Sequence, residues 1–303
     1  MQQAEYIGID VGGGSLRASL VTKKGTILAE NKLATEPSWD NQAFCEALAQ
    51  LVEPLTKTKN NYQAIGIGTP GPIDIDKGEI VASGNLANLK HTPLVSFLTQ
   101  QFSVPVSFNN DANCAALGEY HFGSGKNCPN LVVLTLGTGL GCGWVQEGEL
   151  YNGWKGNGME IGHTTVQLNG EECSCGQRGC AEAYFSASGF LRRMKKETGR
   201  KLDSAEKFFQ LVRQNDEIAQ EIFSEGLEAL AALVRNLSHS INPEKIILVG
   251  GLTASADLIL PYLKKRQQEI IFPVLAKRLE LQIGGKVAGT LGAAALCFSK
   301  SKK

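Results

Sequence analysis

Tyr6-Ile-Gly-Ile-Asp10-Val-Gly12-Gly13-Gly14-Ser15-Leu16-Arg-Ala-Ser-Leu-Val21 reads as a strand that enters a glycine turn and leaves as a second strand. The stretch from Thr26 to Leu33 supplies a third strand. The same order returns at Leu131-Val-Val-Leu-Thr-Leu136, followed by Gly137-Thr138-Gly139-Leu-Gly141 and the β-type run Cys142-Gly-Trp-Val-Gln146. The two copies begin about 125 residues apart, a domain-sized spacing.

Helices and strands alternate after each copy. Phe44, Leu48, Leu51 and Leu55 recur at helical spacing, and Ala64-Ile-Gly-Ile-Gly68 is a short strand that runs into Thr69-Pro70-Gly71-Pro72. Pro93 to Phe102 reads as helix, Val104 to Phe108 as strand and Ala112 to Tyr120 as helix. Phe223, Leu227, Leu230, Val234, Leu237 and Ile241 mark a long helix that Asn242-Pro243 stops. Ile246 to Val249 is a buried-type strand ending in Gly250-Gly251. Asp257 to Gln268 reads as helix, Leu279 to Ile283 as strand and Val287 to Phe298 as a closing helix. Residues 150–215 form an insert with a cysteine cluster.

The 303 residues predict about two domains. Thirty basic residues against thirty acidic ones leave no basic nucleic-acid footprint. No apolar run approaches the roughly 18 residues of a membrane span, and MQQAEYIGID lacks a signal peptide's charged and apolar regions. The expectation is a cytoplasmic globular protein with no membrane or nucleic-acid partner.

Glycines let backbone N–H groups approach a phosphate. A dinucleotide fingerprint needs a helix directly after the glycines, yet β-type sequence follows both hairpins. No Gly-Lys-Ser/Thr is present, which excludes a Walker loop. One glycine hairpin is an ordinary tight turn; two equivalent ones, the first led by Asp10, point to a triphosphate clamped between two domains. Gly250-Gly251 lets a base or ribose approach, and Asp10 suits an outer-shell partner of Mg²⁺.

Val106-Ser-Phe-Asn109-Asn110-Asp111-Ala-Asn113 places a carboxylate between a strand end and a helix start. From spacing alone the first reading is that Asn110 or Asp111 caps the helix. The other is a general base for a sugar hydroxyl, with the neighbouring asparagines orienting that sugar.

His163, Cys173, Cys175 and Cys180 supply one imidazole and three thiolates, a donor set for a closed tetrahedral Zn²⁺ site. A thioredoxin-like site needs Cys-x-x-Cys, and Ser174, Gly176, Gln177 and Arg178 are not core sequence. The other cysteines, Cys45, Cys114, Cys128, Cys142 and Cys297, read as small core residues. Glu160 and Glu182 flank the cluster, and a zinc loop would fix both. Because the glycine hairpins lie elsewhere in the chain, loosening this loop is expected to disturb a sugar site more than a nucleotide site.

Together these residues resemble the ROK kinases, a bacterial sugar-kinase family that contains many glucokinases. The resemblance covers essentially the whole chain. It is most specific at Glu160-Ile-Gly-His163 followed by Cys173-Ser-Cys175-Gly-Gln-Arg-Gly-Cys180-Ala-Glu182. Asp10-Val-Gly-Gly, Gly68-Thr-Pro-Gly71-Pro, Gly84-Asn85-Leu86, Asn110-Asp111-Ala-Asn113, Leu136-Gly-Thr-Gly-Leu-Gly141 and Leu248-Val-Gly-Gly251 stand in the family's order.

The resemblance implies an α/β, actin-like ATPase (RNase H-like) fold of two lobes with a zinc-binding insert. The N-terminal lobe would span 1–110, joined by the closing helix at 287–303; the C-terminal lobe would span 111–286, with the zinc loop at 160–182. By analogy Asp111 is the catalytic base, which overturns the capping preference. Asn85, Asn110, Asp111, Glu160, His163 and Glu182 would contact the sugar, while Asp10, Gly12, Gly13, Thr138, Gly139 and Gly251 would serve ATP and its Mg²⁺. A structural Zn²⁺ and a homodimer are implied as well. Two departures stand out. Gly14 occupies a position where the family usually has Thr, with Ser15 following, and Asn88-Leu89-Lys90 replaces a Trp that often follows Gly84-Asn85-Leu86.

The expected activity is phosphorylation of glucose to glucose 6-phosphate. Alternatives are a kinase for N-acetylmannosamine, N-acetylglucosamine or fructose, or a sugar-responsive repressor. The first strand begins by residue 6, which leaves no room ahead of it for a repressor's winged helix, and Asp111 argues for chemistry.

Overall fold

A computed structural model describes residues 4–12, 14–58, 62–82, 86, 88–285 and 289–298; Gly13 and Asn85, both named above, lie outside the described residues. The elements in chain order are β1 (Glu5–Val11), β2 (Ser15–Thr22), β3 (Ile27–Ala34), α1 (Asn41–Thr58), β4 (Tyr62–Thr69), β5 (Ile73–Asp74), β6 (Glu79–Ala82), β7 (Lys90–Thr92), α2 (Leu94–Phe102), β8 (Val106–Asn110) and α3 (Asp111–Phe122). There follow β9 (Asn130–Leu136), β10 (Leu140–Gln146), β11 (Glu149–Leu150), α4 (Ala181–Tyr184), α5 (Ala187–Thr198), α6 (Ala205–Arg213), α7 (Glu217–Ser240), β12 (Lys245–Val249), α8 (Ala256–Ile270), α9 (Pro273–Ala276), β13 (Glu280–Ile283) and α10 (Gly289–Ala295).

The chain divides into two compact units. One comprises Met1–Asn127, Gly143–Met159 and Gly285–Lys303; the other comprises Cys128–Cys142 and Glu160–Gly284. The first unit thus takes in α3, the segment Gly143–Met159 and α10.

Its sheet runs β3-β2-β1-β4-β8. β1 is antiparallel to β2 and parallel to β4, which is parallel to β8. Strand alternation explains the sequence of β1 and β4: Ile7, Ile9, Ile65 and Ile67 join the core with Phe44, Leu48, Leu51 and Leu55 of α1. The intervening Gly8 and Gly66 face α10. A Cβ on Gly8 would lie 1.8 Å from the Thr290 carbonyl oxygen, and one on Gly66 would lie 1.8 Å from that of Ala293. Only glycine admits so close a helix. The antiparallel sheet β5-β6-β7 also lies in this unit.

A second five-stranded sheet has the order β11-β10-β9-β12-β13. β12 is parallel to β9 and to β13, and the fully buried run Leu131–Leu134 suits a parallel strand covered on both faces. In the second unit α5, α6 and α7 share an aromatic core in which Phe190 stacks on Phe208 at 4.5 Å and Phe185, Phe209 and Phe223 close around them. Asp216 caps the long helix α7 by accepting the Ala219 N–H at 3.0 Å. Among the described residues no helix is long and apolar enough to cross a membrane.

Candidate active site and metal centre

In the first unit, sheet register lines up Asp10 with Gly68 and Gly68 with Asn109, near the carboxyl ends of three parallel strands. That end of an open α/β sheet is where ligands bind. The hairpin after Asp10 is closed by Gly12 N–H donating to the Ser15 carbonyl at 3.0 Å and braced by Thr35, whose hydroxyl donates to the Gly12 carbonyl at 3.0 Å. Among the described residues no side-chain hydrogen bond reaches Asp10. Burial pushes its carboxyl above the ordinary value, against the opposing pull of Arg17.

Asn110 and Asp111 divide the work that the sequence left open between them. Asn110 is the cap: its Oδ1 accepts the N–H of Ala112 at 2.8 Å and of Asn113 at 3.4 Å. Asp111 is the first residue of α3, and its Oδ1 accepts the Ala112 N–H at 2.8 Å. With the Asn110 oxygen committed to the helix, its Nδ2 group is the part left to meet a hydroxyl.

Asn109 and Asn113, on either side of that pair, are drawn into the protein interior. Both are buried, because they belong to an amide ladder. Asn109 Nδ2 donates to Asn152 Oδ1 at 2.8 Å, and Asn109 Oδ1 accepts both the Asn110 N–H and Asn113 Nδ2 at 2.8 Å. The ladder fixes the backbone that delivers Asp111. Asn157 performs a similar task nearby, accepting the Ile73 N–H at 2.9 Å and donating to its carbonyl at 2.7 Å. Neither Asn152 nor Asn157 carries a local signal beyond lying in a glycine-rich loop.

In the second unit, the hairpin Gly137–Gly141 is mounted on the stretch that leaves the cysteine loop. Ala187 N–H donates to the Gly137 carbonyl at 2.9 Å, and Ser188 N–H donates to the Thr138 carbonyl at 3.2 Å. Glu182 Oε2 accepts the Leu140 N–H at 3.0 Å, and Glu182 Oε1 accepts the Ser174 hydroxyl at 2.8 Å. This corrects the expectation that both hairpins lie apart from the cysteine loop. Gly251 opens a short 3₁₀ turn, Gly251–Ser255, that leads into α8, and a Cβ there would meet nothing within 4 Å.

The four donors of the cysteine loop converge: one ligand atom from each of His163, Cys173, Cys175 and Cys180 lies within 4.8 Å of the others. Tetrahedral Zn²⁺ with its usual bond lengths needs sulfur–sulfur edges of about 3.8 Å and nitrogen–sulfur edges of about 3.6 Å. Cys175 Sγ and Cys180 Sγ are 3.7 Å apart, and Cys173 Sγ lies 3.5 Å from His163 Nδ1. The residues therefore fit the ion. Burial and the adjacent thiols push the metal-free Cys180 thiol up to about 12, so a cation must displace its proton.

Glu160, His163 and Glu182 form one electrostatic group beside that loop. Desolvation raises the Glu160 carboxyl, the His163 ring opposes the rise and the Glu182 carboxylate adds to it. With His163 Nδ1 turned to Cys173, its Nε2 is the ring atom left for a second partner. The structure thus brings together Glu160, His163, Glu182 and the hairpin of Thr138 and Gly139 in one unit, and Asp10, Gly12, Asn110 and Asp111 in the other.

The sequence matches the ROK family over residues 6–300. It is 33% identical to a glucokinase of Thermotoga maritima, over 98% of each chain. It is 31% identical to a xylose repressor of Bacillus spizizenii, over 94% of this chain and 75% of the repressor. The crystal structure of a ROK family glucokinase from Streptomyces griseus, in complex with glucose and AMPPNP, superimposes with a TM-score of 0.82 at 29% identity and covers 97% of this chain and 99% of that one. On this match of sequence and architecture, the chain belongs to the ROK family and has the actin-like ATPase fold of its sugar kinases.

Proposed function

We propose that this protein is an ATP-dependent hexose kinase that phosphorylates glucose to glucose 6-phosphate. The observation that carries the reading is the β8–α3 junction. Asn110 caps the helix and the buried ladder fixes the backbone, so Asp111 is held at the carboxyl end of the sheet without being needed as the cap. Likeness to glucokinases supports the choice of sugar.

In this reading the primary hydroxyl oxygen of glucose attacks the γ-phosphorus of ATP. The new O–P bond forms as the bond to the bridging oxygen breaks, Asp111 takes the hydroxyl proton, and ADP leaves with the electron pair. Asn85, Asn110, Glu160, His163 and Glu182 hold sugar hydroxyls. Gly12, Gly13, Thr138, Gly139 and Gly251 face the nucleotide. Mg²⁺ arriving with ATP would neutralise phosphate charge, and Asp10 is the carboxylate that would hold it. His163, Cys173, Cys175 and Cys180 would hold a Zn²⁺ as a closed structural staple. The family likeness also supports a homodimer and action in the cytoplasm.

The second reading within the family is a kinase for N-acetylmannosamine, N-acetylglucosamine or fructose. The third is a sugar-responsive repressor, which the similarity to xylose repressors brings in. Coupled ADP release over a panel of hexoses separates them. Glucose is expected to give the highest kcat/KM. An N-acetylhexosamine or fructose in first place would establish the second reading, and sugar binding without ADP release would remove both kinase readings and leave the third.

A further inference from the structure

We infer that Glu182 is a positioning residue for the nucleotide hairpin, tying Gly137–Gly141 to the zinc loop in addition to meeting the sugar. The carboxylate spans two elements that are 42 and 8 residues from it in sequence. Oε2 takes the Leu140 N–H at 3.0 Å, and Oε1 takes the hydroxyl of Ser174, which stands between the zinc-site residues Cys173 and Cys175, at 2.8 Å. The carboxylate packs directly on the hairpin, for a Cβ on Gly139 would lie 2.5 Å from Glu182 Oε2. The backbone ties from Ala187 and Ser188 to Gly137 and Thr138 hold one side of the same hairpin, and Ser186 binds the Glu182 carbonyl at 2.8 Å to join these supports.

A carboxylate oxygen has lone pairs to spare, so these two bonds leave room for a sugar hydroxyl. Glu182 is then felt at the hairpin whether or not sugar is bound. Ser174, which no sugar or nucleotide role claims, becomes the zinc loop's handle on it.

The inference rests on the reading that this hairpin faces ATP, and the test keeps the two apart. The zinc-loaded protein is titrated with AMPPNP and Mg²⁺ in the absence of any sugar. If the wild type does not bind AMPPNP, the nucleotide reading itself fails. If it binds, Glu182→Ala is expected to weaken sugar-free AMPPNP affinity about tenfold or more, the scale of a hydrogen bond to a charged group. A role confined to the sugar would leave that affinity unchanged, and such a result overturns the inference. Ser174→Ala is expected to weaken it in the same direction by a smaller factor, with Ser174→Thr restoring the hydroxyl and the affinity. Equal AMPPNP binding by Ser174→Ala and wild type removes Ser174 from the tie. Zinc content is read on each variant. Should Glu182→Ala lose its metal, Glu182→Asp, whose shorter side chain cannot reach both partners, is expected to weaken AMPPNP affinity less than Glu182→Ala does; affinity equal to wild type would again overturn the inference.

Discussion

Asn110 caps the helix that Asp111 begins, its Oδ1 accepting the Ala112 N–H at 2.8 Å. The cap thus falls to Asn110, and the proposed chemistry to its neighbour Asp111. Asp111→Asn keeps the shape and the oxygen that accepts Ala112 N–H but cannot take a proton. Its turnover is expected to fall by about 10²–10⁴, the usual worth of a general base, with little change in melting temperature. A variant that keeps more than about a tenth of wild-type turnover in an ADP-release assay would remove Asp111 from that role.

Asn109 should show a different profile. Replacing it with Ala leaves the buried Asn113 amide, the Asn152 oxygen and the Asn110 N–H without their partner. Such losses in a buried network cost about 2–3 kcal/mol in denaturant unfolding, and the displaced Asp111 should lose turnover with them. Unchanged stability in Asn109→Ala would show the ladder to be dispensable.

The strand–hairpin–strand units were legible because alternation and glycine clusters are local signals, and the family motifs stand within short stretches. Where the determinants are long-range, the sequence is silent. Asn109 meets Asn152 across 43 residues, and Leu140 meets Glu182 across 42, so only the fold reveals either pair. The strands β5, β6 and β7 have two to four residues each, too short for a period to register. The helices α5 and α6 inside the cysteine-bearing insert did have signals to read. Ser186 accepts the Gly189 N–H and Ser204 that of Lys207, each cap preceding an apolar helical face.

Zinc can be tested apart from turnover. Metal analysis should find about one ion per chain, as a closed four-ligand site requires. Cys173→Ala should lose that ion and melt at a lower temperature, since the 3.5 Å approach to His163 Nδ1 is one edge of the tetrahedron. Full zinc retention in this variant would mean that the ligand set is wrong.

Asp10 carries a pH prediction. Its folded-state pKa is raised by burial, so its favourable contribution is complete below the unfolded value of about 3.9 and is lost as pH rises through the folded value. As pH rises through the folded value the wild type comes to bear the cost of an ionised, poorly solvated carboxylate. Asp10→Asn should therefore be more stable than wild type at pH 7, with the advantage shrinking as pH approaches about 4. Its Mg²⁺-ATP turnover should fall at the same time. Melting curves across that range decide it, and a variant less stable than wild type at pH 7 would show that the carboxylate is stabilising where it stands.

Gly14 is the departure from the family pattern that the structure allows to be reversed. A Cβ built there meets nothing within 4 Å, and its φ lies outside the left-handed range that penalises side chains. Gly14→Thr should therefore fold as the wild type does. It would add a hydroxyl to the hairpin whose neighbours are proposed to face the phosphates, and a threonine is what the family usually has at this position. Hydrogen bonds from a hydroxyl to a charged group are strong enough that KM for ATP should fall about three- to tenfold, with sugar KM nearly unchanged. The neighbouring Ser15 offers an internal control. If it already supplies the displaced hydroxyl, Ser15→Ala in the wild type should raise KM for ATP, and adding Gly14→Thr to Ser15→Ala should bring it back. An ATP KM that does not move in any of the three variants would mean that no hydroxyl from this hairpin reaches the nucleotide.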